Sequence, residues 1–123
     1  MRSIACLLLA LGLMAGCAGT QVAQQKSVYA LRGTYDAYLD AASAYSSLPF
    51  CVAGQPAGMP CAQPNVVLAL KKADDAAKLA LDSAENIVRN SPVVDPTSAI
   101  SAAEQAVNAV GQILAAYNIK IGA

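Results

Sequence analysis

DPTSAISAAEQAVNAVGQILAAYNIKI, residues 95–121, carries one pattern from end to end. Ile100, Ala103, Val107, Val110, Leu114, Tyr117 and Ile121 recur at steps of three and four. That rhythm puts all seven on one stripe of a helix. Asp95-Pro96 reads as its start, with Asp as N-cap and Pro at the first helical position. The segment behind it has the same rhythm. Val66, Leu70, Ala73, Ala77, Ala80, Ala84 and Ile87 form a second seam, in a helix expected from Pro64 or Asn65 to Asn90. Lys71, Asp75, Lys78, Asp82, Glu85 and Arg89 make a polar stripe that reads as a solvated face. Asp74–Lys78 and Glu85–Arg89 are acid-first pairs at i,i+4, each worth about 0.2–0.5 kcal/mol.

A third segment runs from about residue 24 to Ser47. Val28, Leu31, Tyr35, Tyr38, Ala42 and Tyr45 share one stripe, while Lys26, Arg32, Asp36 and Asp40 fall elsewhere and can face water. Leu48-Pro49 ends it, because a residue before proline avoids the α region. Three helices of similar length, with Pro-bounded breaks between them, predict an all-α fold. The expected arrangement is an antiparallel three-helix bundle, up-down-up, over residues 24–123. A parallel coiled coil of separate chains is the alternative, since the seams are heptad-like. Alanine-rich seams opposite a tyrosine-bearing one suggest small residues packing against large. Tyr35, Tyr38 and Tyr45 are alternatively candidates to line a ligand pocket in the core.

Composition narrows the chemistry. The 123 residues carry eight basic and eight acidic side chains, so nucleic acid is not an expected partner. There is no His, which removes the commonest general base and transition-metal ligand. No Ser-His-acid triad can be built, and no Gly-rich loop joins a strand to a helix as a phosphate cradle would. Asp74 and Asp75 are adjacent on a helix and point about 100° apart, a poor acid/base dyad. The expectation is a non-enzymatic protein with no cofactor and no metal.

The N-terminus has its own logic. Arg2 precedes Ile4–Ala15, an almost wholly apolar run shorter than the roughly 20 residues of a spanning helix. It ends Leu13-Met14-Ala15-Gly16-Cys17, which resembles the lipobox of bacterial lipoproteins. Ala15 and Gly16 match the two small residues before the cysteine. Met14 stands where the pattern has an aliphatic residue. The resemblance covers the first 17 residues only. It implies a cleaved leader at 1–16, a diacylglyceryl group on Cys17 and membrane attachment through that lipid, with 17–23 as a tether. Ala18 follows where an Asp would signal retention in the inner membrane, so the resemblance implies the periplasmic face of the outer membrane.

Cys51 and Cys61 flank a Gly/Pro-rich loop between the first two helices. In an exported protein the pair reads as a disulfide. Their spacing is not Cys-x-x-Cys, and two thiols without His do not make a zinc site. The loop is then a staple for a small domain or a presented recognition element. Three functional expectations follow. One is a structural or interaction module that tethers an envelope protein or the cell wall. The others are a small-ligand-binding bundle built on the tyrosines, and an accessory or inhibitor subunit of an envelope enzyme.

Overall fold

The computed structural model describes residues 2–122, with side chains described from Gln21 to Gly122. It is an all-α bundle of α1 (Arg2–Ser46), α2 (Pro64–Asn90) and α3 (Thr97–Ala116). Each helix packs on both others, so the three run up, down and up around one core. The leader at 1–16 and the lipid site at Cys17 lie outside the residues whose side chains are described. α1 continues through 17–23, so the expected tether is helical.

The core is made of small and medium side chains. Val66, Ala77, Leu81, Ala84, Ala103, Val107 and Leu114 are fully buried, and Val28 and Tyr35 close the α1 side. Among the described residues the core runs from Val28 to Ile119, and the chain from Ala18 onward contains all of that cluster. Among the described residues no polar or charged residue is buried and no buried polar atom lacks a partner.

On α2 the buried face differs from the expected seam. Leu81 and Val88 are buried, whereas Ala73, Ala80 and Ile87 are only partly so. The reason is geometric. α2 faces two neighbours, so the row 70, 77, 84 lies at the centre of a wide arc. One flank of that arc is Ala73, Ala80 and Ile87, and the deeper flank is Leu81 and Val88.

The helix ends follow local chemistry. α2 opens with Pro64 in its first turn. α3 begins at Thr97, one residue later than expected, with Pro96 and not Asp95 at the N-cap, and Asp95 holds the first residue of the helix from just outside it. Its Oδ1 accepts the Thr97 N–H at 3.0 Å and the Thr97 hydroxyl at 2.6 Å. Those two bonds, the hydroxyl's first, hold the Asp95 carboxyl below its ordinary pKa.

α3 stops at Ala116, so Tyr117 and Ile121 leave the seam and are exposed. Asn118 takes a left-handed φ of 53°. Its N–H donates to Ala115 O at 3.1 Å, and the Ile119 N–H donates to Leu114 O at 2.8 Å. This is a Schellman close with asparagine in place of glycine, and Ile119 folds back on the core.

Candidate functional site

The α1–α2 loop is the most built feature outside the core. Cys51 and Cys61 are joined by a disulfide across a Cα–Cα distance of 5.0 Å. The neck is also fastened by backbone. Cys51 N–H donates to Ala62 O at 3.0 Å, Ala62 N–H donates to Pro49 O at 2.8 Å, and Ala62 is fully buried. The Gln63 N–H donates to the Tyr45 hydroxyl at 2.9 Å, tying the loop's exit to α1.

Beyond the neck stand two successive turns, Val52-Ala53-Gly54-Gln55 and Pro56-Ala57-Gly58-Met59. Each closes from its fourth N–H to its first carbonyl, at 3.3 and 3.4 Å. Gly54 and Gly58, at the third positions, have φ of 86° and 91°, which a side chain would strain. The signal was visible as Ala-Gly repeated four residues apart. The loop holds Phe50, Val52 and Met59 out in solvent, each more than half exposed.

The disulfide's share can be measured separately from the neck. Replacing both cysteines, Cys51→Ser with Cys61→Ser, should lower stability by about 2–3 kcal/mol on the chain-entropy estimate for a short closed loop. Helix content by circular dichroism should not change, because the core lies elsewhere. A double variant that melts with the parent would mean that the neck's backbone bonds alone restrain the loop.

Of the three candidate ligand-lining tyrosines, none stands free. Tyr35 is 4% exposed and its hydroxyl donates to Asp74 Oδ1 at 2.5 Å. Burial, and then the carboxylate it donates to, push its pKa well above the ordinary phenol value. Tyr45 accepts from the Gln63 amide. Tyr38 lies over α3 where Gly111 leaves room: a Cβ there would sit 2.8 Å from Tyr38 Cε2. The large residue is thus received by a glycine of α3 and not by the alanine row of α2. A cleft of about 180 Å³ opens nearby, between α1 and the C-terminal tail, with Asp40 and Lys120 across from each other among Ala37, Ala41, Ala44 and Gly122. The tyrosines do not line it.

The expected solvated stripe of α2 is in part an interhelical edge. Arg32 donates from Nε to Glu85 and from Nη2 to Asp82, both at 2.9 Å. These bonds, Glu85 first, raise the guanidinium pKa further. Arg89 donates to the Tyr29 hydroxyl at 3.2 Å and stands 5.9 Å from that ring's centroid. Among the described residues the ion pairs thus cross between helices, and the expected Asp74–Lys78 and Glu85–Arg89 pairs are not formed. Sequence spacing offered no sign of these partners, which are about fifty residues apart.

Among the described residues, no group of three or more His, Cys, Asp or Glu side chains could hold a metal ion. No described helix is long and apolar enough to cross a membrane. Compared with known proteins, the chain matches no family model, no curated protein and no solved structure.

Proposed function

We propose that this chain is a lipid-anchored helical module of the bacterial envelope. Acyl groups on Cys17 hold it at the periplasmic face of the outer membrane, and the bundle serves as a structural or protein-interaction element, not as an enzyme. The observation that carries this reading is the sequence Leu13-Met14-Ala15-Gly16-Cys17, closing an apolar run behind a basic residue. A loop disulfide fits an oxidising compartment. Among the described residues the core holds no buried polar atom without a partner, which fits a protein whose work is done on its surface. The ligand-binding reading loses support, because all three tyrosines are engaged within the protein.

Cys17→Ala tests the anchor. The parent should take up labelled palmitate and sediment with membranes, since two or more acyl chains hold a protein stably. The variant should lose the label and leave the outer-membrane fraction. Palmitate still incorporated after the substitution would end the proposal.

A further inference from the structure

From Ala41 to Leu70 the chain contains no Asp, Glu, Lys or Arg. The fold gathers this whole stretch at one end of the bundle, where α1 ends, the disulfide loop turns and α2 begins. The end of α3 and the tail after it arrive at the same place. Half of the large apolar side chains found exposed among the described residues cluster here: Phe50, Val52, Met59, Leu68, Tyr117 and Ile121. Charge stands only at the rim, at Asp40 and Lys71 down the helices and Lys120 on the tail.

We propose that this loop end docks into the headgroup–hydrocarbon boundary of a lipid bilayer. The chemistry favours lipid over a charged polymer. Inside its rim the end carries no charged side chain to pair with phosphate or carboxylate, so inserting it removes apolar surface from water without dehydrating an ion. The loop is also ready for it. Its shape is held by two turns, the neck bonds and the disulfide, so it would enter without first having to be ordered. Tyr117 and Lys120 at the rim are side chains suited to the interface, one amphipathic and one able to reach outward with its amine.

The inference does not need the acyl group on Cys17. Where that reading also holds, the two attachments lie about 44 Å apart along α1, and a single bilayer takes the module lengthwise.

The chain has no Trp, so one can be placed as a sole reporter. Phe50→Trp puts it on the loop, and Leu79→Trp puts it on an exposed mid-helix site of α2. Both are made in the chain from Ala18 onward, which lacks Cys17 and retains the whole core cluster of the described residues. With phosphatidylcholine vesicles, the Phe50→Trp emission should move to shorter wavelength and be quenched by brominated lipid, equally at low and high salt. The Leu79→Trp emission should stay as in water. Phe50→Ala should raise the lipid needed for half-maximal vesicle flotation about tenfold, with an unchanged melt.

An unmoved Phe50→Trp emission at saturating lipid overturns the proposal. So does an equal shift in both reporters, which is general adsorption. A shift that follows protein concentration without lipid also overturns it, in favour of a second copy as the occupant. Because the fragment carries no acyl site, a failure here leaves the Cys17 result untouched.

Discussion

Val107→Asp should all but unfold the bundle, and Gln105→Asp should not. Val107 is fully buried on the inner face of α3, while Gln105, two residues back, faces solvent with its amide 3.5 Å from Ser101 Oγ. The new carboxylate would be surrounded by Val110, Ala103, Leu114 and the rest of an apolar cluster without a basic group. Keeping it charged costs several kcal/mol, and keeping it neutral raises its pKa. Domains of this size have about 5–15 kcal/mol in all. The sign of the pH effect follows. With a folded pKa above the unfolded one, the variant is least impaired below the ordinary carboxylate pKa, and its deficit grows as pH rises through the folded value. On the outer face the same substitution should stay within about 0.5 kcal/mol. Thermal melts of the chain from Ala18 onward, at pH 4 and pH 7, measure both. A Val107→Asp melt within two degrees of the parent at pH 7 is incompatible with this core.

Leu81→Ala carries the second largest effect and tests the rotation of α2. Leu81 is among the largest fully buried side chains, whereas Leu79 is 74% exposed. Removing the buried isobutyl group should cost about 2–5 kcal/mol, the transfer loss plus the cavity left among side chains that relax only in part. Leu79→Ala should stay within about 0.5 kcal/mol. If α2 instead turned its Ala73-Ala80-Ile87 flank to the centre, Leu81 would move to the edge and the two leucines would cost nearly the same. Urea titrations of the pair, read by circular dichroism, separate these cases. Equal midpoints would require the α2 packing to be redrawn.

Much of the architecture was legible in the residue order. Helix periodicity is a local property, since each apolar stripe is visible within one segment. The breaks at Leu48-Pro49 and Asp95-Pro96 are local too, because proline constrains only its neighbours. The disulfide loop could be read from two cysteines on one Gly/Pro-rich stretch. The absence of His and the balance of charge are likewise properties of composition alone.

What the tertiary structure decided was how the stripes meet. A heptad-like pattern marks the apolar arc of α2 but not its centre, and that depends on where α1 and α3 lie. Leu81 and Val88 became core for this reason. Asp74 occupies the same row, seven residues before Leu81, and interrupts it in the sequence. It is tolerated there because the Tyr35 hydroxyl, on another helix, satisfies its carboxylate. Arg32 read as solvated until α2 brought Asp82 and Glu85 beside it. Gly111 receives the Tyr38 ring of α1, a contact that nothing within its own segment marks. Each of these contacts joins residues that are tens of positions apart. Local spacing fixes the direction of a side chain on its own helix, but only the packing of three helices fixes what that side chain meets.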